Sequence, residues 1–140
     1  DATHPQNGMS FGDLGETDLM EIGAGQHGEG GGVRVPMMSS KDTVATVAEA
    51  LSKKLELKAG DKAFVMINGC GATTMMEMLV LFKDTVEFLK AKGIEVVASM
   101  VGEILTVQEA AGFQMNIAKW DEEMLRLWNT PCHTPAFSKE

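Results

Sequence analysis

The run AFVMI at residues 63–67 constrains the fold of this 140-residue chain more than any other feature. A continuous apolar run of strand length is typical of a strand that is buried on both faces of a parallel sheet. A glycine-rich turn follows at 68–74, then a helical pattern over about 74–92 and a strand from Ile94 to Met100. This succession predicts a right-handed crossover that joins two parallel strands.

Further elements extend this unit on both sides. They are a strand at 18–22, a helix over about 41–57, a helical turn at 107–111, a strand at 113–118 and a helix at about 122–129. Ser40 is the predicted N-cap of the first helix and Asp121 that of the last, while Gly93 is the predicted stop of the middle one. The sequence therefore predicts an α/β fold with a mixed, largely parallel sheet flanked by helices.

Apolar residues at a period of 3.6 predict which helix faces turn toward the core. The predicted stripe of the first helix is Val44, Val47 or Ala48, Leu51 and Leu55. That of the middle helix is Met75, Leu79, Phe82, Val86 and Leu89, and that of the last is Met124, Leu125 and Leu127 or Trp128.

Composition excludes several classes of protein. The length suits one domain, and a net charge of −8 argues against nucleic acid or an anionic membrane surface as partner. No stretch approaches the ~20 apolar residues of a membrane span, and no signal-peptide pattern opens the chain. Cys70 and Cys132 lack metal-ligand spacing and are predicted to be reduced thiols of a cytoplasmic protein, with a disulfide between them left open.

The most informative feature for function is the run GAGQHGEGGG at 23–32, in which six of ten residues are glycine and one is His27. So many glycines together indicate unusual backbone angles or a close approach to a ligand. A neutral imidazole in such a loop is able to attack a carbonyl, carry a proton or bind a metal, or it simply bonds to the backbone. His4 and His133 lie in predicted tails, so no metal site is predicted.

Three loops follow predicted strands, at 23–36, 68–74 and 101–112. Ligands of open α/β sheets bind at the carboxyl ends of strands, so all three are placed where a site is expected. The backbone N–H groups of 68–74 open a helix and could hold an anion; the alternative is a tight turn that needs glycine. Glu29 either orients the ring of His27 or is a solvated charge.

The segment MEIGAGQHGEGG at 20–31 resembles the E-x-G-x-G-x-H-G-E-P-G motif of the substrate-binding K subunit of dihydroxyacetone kinases. Further similarities follow in the same order: VMINGCGAT at 65–73, the stretch 97–113, DEE at 121–123 and TPCHTPAF at 130–137. The resemblance covers about residues 13–137. The chain departs from the motif at Gly30, where the family has proline, and at Gln26, where it has a small apolar residue.

The resemblance implies that His27 binds dihydroxyacetone covalently as a hemiaminal for phosphorylation to dihydroxyacetone phosphate, with Gly28 and Glu29 as further substrate-binding residues. It implies that residues 17–137 are the C-terminal, second subdomain of the K-type fold, after a lead-in at 1–16 and before a tail at 138–140. An upstream half of the subunit is then expected to supply the acid and base.

The resemblance also implies partners. The phosphoryl donor is external, either ATP in a fused domain or a nucleotide-binding L subunit of the phosphotransferase-system type, so no cofactor is expected on this chain. A homodimer is implied as well. The alternative is a kinase-like coactivator of transcription, which binds dihydroxyacetone without phosphorylating it.

Overall fold

The computed structural model of the protein describes residues 2–3, 10–11, 18–25, 32–105 and 110–140. The elements in chain order are β1 (Ala2–Thr3), β2 (Ser10–Phe11), β3 (Leu19–Ile22), β4 (Val33–Pro36), α1 (Ser40–Lys54), β5 (Lys62–Gly69), α2 (Met75–Ala91), β6 (Glu95–Gly102), β7 (Phe113–Trp120), α3 (Glu122–Trp128), β8 (Cys132–His133) and β9 (Ser138–Lys139). The predicted α/β class is confirmed. The predicted helical turn at 107–111 lies largely outside the described residues.

A three-stranded mixed sheet in the order β6-β5-β7 forms the centre of the fold. β6 pairs with β5 in parallel and β7 pairs with it antiparallel. Since α2 connects β5 to β6, the predicted strand–helix–strand unit is confirmed. The parallel register runs from Lys62 opposite Glu95 to Asn68 opposite Gly102. The two parallel strands therefore end side by side, and the loops that follow them start at the same end of the sheet.

α1 and α2 pack on one face of this sheet. The buried hydrophobic side chains between them are Val44, Ala48, Ala63, Val65, Ile67, Met78, Leu81, Leu89, Ile94 and Ile117. On the other face Phe64 stacks on Trp120, with 4.8 Å between ring centroids. Phe64 and Met66 are only half-buried. The prediction that this strand is buried on both faces is therefore wrong, because the two helices cover one face alone.

The N-cap of α1 lies one residue earlier than the sequence predicts. The Oγ of Ser39, not that of Ser40, accepts a hydrogen bond from the backbone N–H of Asp42 at 3.2 Å. Ser40 is instead the first helical residue, and its Oγ donates to Asp84 of α2 at 2.7 Å. Two adjacent serines suit an N-cap equally well, and this contact with α2 decides between them. The predicted apolar stripe of α1 is confirmed.

α2 shows the predicted ends but a different buried face. Thr74 and Glu77 form a capping box at its start, and Gly93 follows its end with φ of +73°. The buried residues are Met78, Leu81, Thr85 and Leu89. Met75 and Leu79, which were predicted to face the core, are half exposed. The first two turns are apolar on nearly every side, so the sequence period does not fix which side faces the sheet.

α3 is capped as predicted, since Asp121 Oδ1 accepts from the backbone N–H of Met124 at 2.8 Å. The prediction that Met124 faces inward is wrong, because it is exposed; of the two alternatives Leu127 and Trp128, Leu127 is exposed and Trp128 packs inward. Only the end of the helix reaches the sheet, where Trp128 meets the edge of Phe64 at 5.4 Å between centroids. None of the helices in the described ranges is long and apolar enough to cross a membrane.

Candidate functional site

A β-hairpin carries the glycine-rich loop. β3 and β4 pair antiparallel, from Leu19 opposite Pro36 to Ile22 opposite Val33. β4 was not predicted from the sequence, because its residues, VRVP, include a charge and a proline. The pairing means that the ten residues 23–32 connect two chain segments that are held side by side.

The predicted site residues lie outside the described part of the chain: His27, Gly28 and Glu29, and with them Gln26 and Gly30. The structure describes the two ends of the loop, at 23–25 and at Gly32. Gly23 has φ of +89°, a left-handed conformation that glycine adopts without strain. The roles assigned to the three site residues therefore stay predictions.

Contacts at exposed, half-buried and buried positions hold the base of the hairpin. Glu21 and Arg34 are opposite each other in the register, and Glu21 Oε2 lies 3.6 Å from Arg34 Nε. Thr43 of α1 lies beside β3: its hydroxyl donates to the carbonyl oxygen of Ser39 at 2.9 Å, and its Oγ1 lies 3.9 Å from Met20 Sδ. The loop is thus attached to α1 through β3.

The other two predicted loops meet at the carboxyl end of the sheet, and the side chain of Asn68 joins them. Asn68 is wholly buried. Its Nδ2 donates to the carbonyl oxygen of Leu105 and, at 2.9 Å, to Gln114 Oε1. Its Oδ1 accepts from the backbone N–H groups of Ile104 at 2.7 Å and Leu105 at 2.8 Å. These four bonds use the full capacity of an amide side chain, two donated and two accepted.

The backbone of the turn after β5 is also occupied. Cys70 N–H donates to the carbonyl oxygen of Gly112 at 3.0 Å, and Ala72 N–H donates to that of Ala110 at 3.2 Å. Thr74 N–H donates to Glu77 Oε2 at 2.8 Å. Donors that already bond within the protein do not cradle an anion, and the Glu77 carboxylate fills the start of α2. The geometry therefore fits the tight-turn alternative for 68–74.

Cys70 lies in this turn as a free, half-buried thiol. Burial, and secondarily the nearby charge of Glu103, raise the pKa of the Cys70 thiol above its usual value of 9.0. A raised pKa disfavours the thiolate, which is the reactive form of cysteine. Cys132, the other cysteine, is free and exposed. In the described ranges no group of three or more metal-ligating side chains converges.

The structure thus separates two regions that the sequence grouped as loops after strands. The carboxyl end of the sheet is filled with internal hydrogen bonds centred on Asn68. The hairpin of β3 and β4, a separate two-stranded sheet, holds the two ends of the glycine-rich loop. Sequence reasoning missed Asn68, and its one available signal was an amide placed directly after a buried strand.

Comparison with protein families matches residues 1–136 to the Dak1 domain. The chain belongs to the Dak1 domain family. Among curated relatives, this Dak1 chain is 39% identical to the dihydroxyacetone-binding subunit DhaK of PTS-dependent dihydroxyacetone kinase 1 from Listeria innocua, over 86% of the chain and 36% of that relative. It is 31% identical to the DhaK subunit of kinase 2 from the same organism, over 97% of the chain and 41% of that relative.

The Dak1 chain therefore spans roughly two fifths of the length of these relatives. Its fold is also similar to that of a solved structure, the dihydroxyacetone kinase operon co-activator Dha-DhaQ. The TM-score is 0.81 at 24% identity, over 93% of this chain and 41% of that one. This likeness confirms the fold, with its mixed sheet and flanking helices.

Proposed function

We propose that this chain is the substrate-binding part of a dihydroxyacetone kinase and that His27 holds dihydroxyacetone as a hemiaminal. The membership of the Dak1 family carries the proposal, together with relatives named as dihydroxyacetone-binding subunits at 31–39% identity. The hairpin supports it, because β3 and β4 anchor both ends of the loop that contains His27.

The proposed chemistry is an addition without an external reagent. A lone pair of the neutral imidazole of His27 forms a bond to the ketone carbon, and the carbonyl π bond breaks. The oxygen gains a proton, and the other ring nitrogen loses one, so the adduct is neutral and no water leaves. An ordinary histidine pKa of ~6.5 keeps most of the ring neutral near pH 7. Polyols such as glycerol have no carbonyl and cannot be held in this way.

Covalent capture would position the substrate for phosphoryl transfer. A ketone fixed at its central carbon presents its terminal hydroxyl groups in a limited set of orientations. Phosphoryl transfer depends largely on such positioning and on stabilisation of the charge that develops. Within this proposal Gly28 and Glu29 line the adduct, and the acid and base come from a preceding part of the subunit.

We further propose that the phosphoryl group comes from a separate nucleotide-binding L subunit of the phosphotransferase-system type. The relatives in Listeria innocua are named PTS-dependent, which supports this donor over a fused ATP-binding domain. The homodimer and the cytoplasmic location stay predictions of the family resemblance, as does the boundary of the subdomain at residues 17–137.

The coactivator alternative is not favoured. The likeness to Dha-DhaQ, at 24% identity, concerns the fold, whereas the curated relatives above are kinase subunits. Formation of dihydroxyacetone phosphate distinguishes a kinase subunit from a coactivator. A kinase subunit supports formation of dihydroxyacetone phosphate when the L subunit and its phosphoryl donor are added, and a coactivator binds the ketone without turnover.

Intact-mass spectrometry of the full-length protein tests the proposed capture. We expect dihydroxyacetone to add its full mass once per protein and glycerol to add nothing. His27→Ala should abolish the adduct, and His133→Ala, a change of the same kind at an exposed histidine, should leave it intact. An adduct that survives in His27→Ala would contradict the proposal.

A further inference from the structure

The segment that contains His27 is unusually rich in glycine. Six of its ten residues are glycine, which has the largest conformational freedom of any residue. Holding such a loop in one conformation costs entropy at each residue. The described residues on either side, at the paired ends of β3 and β4, are where side chains restrain the two ends of this segment.

Glu21 is the anchored residue with the most specific contacts. It lies one position before the last pair of the hairpin, Ile22 opposite Val33, and directly opposite Arg34. The Glu21 side chain is 24% exposed and that of Arg34 is 52% exposed, so the carboxylate is the more enclosed partner of the ion pair.

The second contact of Glu21 is with Gly32, where the chain leaves the loop and enters β4. A Cβ built on Gly32 would lie 2.5 Å from Glu21 Cγ and 2.5 Å from Glu21 Oε1. No real Cβ approaches heavy atoms so closely. The Glu21 side chain therefore occupies the space that a side chain at position 32 would need, and it lies against the backbone of Gly32.

These contacts use the two carboxylate oxygens for different purposes. Oε2 faces Arg34 and Oε1 lies beside Gly32. An ordinary cross-strand ion pair would need only the first contact. The second contact requires that position 32 has no side chain, and glycine is the residue found there.

We propose that Glu21, seated against Gly32 and paired with Arg34, is a positioning residue for His27; this inference rests on the proposed hemiaminal function. By fixing where the chain leaves the loop, Glu21 raises the fraction of molecules in which the loop is in its ketone-binding conformation. The apparent dissociation constant rises in proportion as that fraction falls. Glu21 acts through the loop and does not touch the substrate.

Two single substitutions and their combination test the proposal in the full-length protein. Glu21→Ala removes the carboxylate, and Gly32→Ala displaces it. Because the Glu21 side chain can swing into solvent, we expect neither change to alter the melting temperature appreciably. Each should weaken dihydroxyacetone binding, measured by calorimetry, on the order of fivefold. This is the size of the coupling usually found between two residues that touch each other, as Glu21 and Gly32 do.

The double variant Glu21→Ala/Gly32→Ala is the decisive protein. If both changes act through one contact, the affinity of the double variant for dihydroxyacetone equals that of the single variant with the lower affinity. Gly102→Ala is the matched control, because a Cβ at Gly102 would meet nothing within 4 Å. It should bind as the wild type does.

Other outcomes overturn the inference. Wild-type affinity in both single variants would do so, as would a double variant whose loss equals the product of the two single losses. A loss of affinity together with a clear decrease in melting temperature would indicate that Glu21 has a structural role only. If the wild type itself forms no adduct at His27, the proposed function fails, and the inference fails with it.

Discussion

The hairpin of β3 and β4 and the carboxyl end of the central sheet are both loop-bearing regions, and they are held in opposite ways. At the sheet end, one wholly buried side chain, Asn68, makes four hydrogen bonds that join the loops after β5 and β6. At the hairpin, Glu21 and Arg34 make a half-exposed ion pair at 3.6 Å. Buried bonds are costly to break, whereas exposed ion pairs contribute little.

The difference indicates that the two regions have different roles, one in stability and the other in binding. Loops that bind ligands are drawn from the less stable parts of a fold and are carried by a rigid scaffold. The sheet end provides that rigidity, and the hairpin carries the segment for which ligand binding is proposed. Substitutions at the sheet end should therefore act on stability, and substitutions at the hairpin on binding.

The largest expected effect is that of Asn68→Ala. The change removes the acceptor of two backbone N–H groups, those of the exposed residues Ile104 and Leu105, together with the two bonds that the buried amide donates. A hydrogen bond contributes about 0.5–1.5 kcal/mol net, so we expect the loss of these bonds to lower the free energy of unfolding by about 3 kcal/mol. Urea denaturation measures this loss, and amide hydrogen exchange should show faster exchange at 104 and 105.

Asn116→Ala is the control for this prediction. Asn116 lies on β7 in the same sheet, and its side chain is exposed. Exposed substitutions usually change stability by less than about 0.5 kcal/mol. Equal losses in Asn68→Ala and Asn116→Ala would show that the buried amide does not hold this end of the sheet.

Gly69→Ala should have the next largest effect. A Cβ at Gly69 would collide with the carboxylate of Glu103 and would lie 2.9 Å from Met78 Sδ. Such overpacking typically costs about 1–3 kcal/mol, and the flexible ends of both side chains place the expected loss near the lower value. Thermal unfolding should show a clear decrease for Gly69→Ala and almost none for Gly102→Ala; similar decreases would argue against tight packing here.

Arg34→Ala should change stability less than Asn68→Ala or Gly69→Ala. Exposed ion pairs contribute about 0–1 kcal/mol, and Arg34 is half exposed. We expect the melting temperature to shift by no more than a degree or two, within the range that so small an energy gives. A loss as large as that of Asn68→Ala would remove the contrast between the two regions.

Acid should weaken the sheet end through Glu77. Hydrogen bonds from Thr74, first from its side chain and then from its backbone, lower the pKa of Glu77 below its usual value of 4.5. A lowered pKa in the folded state means that this stabilisation is present above pH 4.5 and is lost as the pH falls through the lowered value. Melting curves between about pH 7 and about pH 3 should show less acid sensitivity in Glu77→Gln than in the wild type. Equal acid sensitivity would exclude this contribution.

Local sequence signals predicted much of the fold. Three signals depend only on neighbouring residues: the apolar run at 63–67, the cap at Asp121 and the stop at Gly93. Each lies where the sequence predicted it. The buried face of α2 could not be predicted in the same way. Its first turns are apolar on several sides, and the position of the sheet decides which side is covered.

The candidate site was predictable to a different extent. The glycine-rich run singled out His27, and the resemblance to the family motif gave that histidine its predicted role, which residue chemistry alone had left open. Neither Asn68 nor the seat of Glu21 on Gly32 could be predicted, because each depends on residues that are distant in sequence and meet only in the folded chain. The strand β4 was missed because it is only four residues long and ends in Pro36, a residue that is uncommon in strands.

Nuclear magnetic resonance of the full-length protein tests the central claim most directly. The protein carries ¹⁵N-labelled histidine, and dihydroxyacetone carries ¹³C at its carbonyl carbon. We predict a tetrahedral carbon signal with one-bond coupling to an imidazole nitrogen, present in the wild type and in His133→Ala and absent in His27→Ala. Signals from only the free ketone and its hydrate, at saturating dihydroxyacetone, would contradict the claim that His27 captures the substrate.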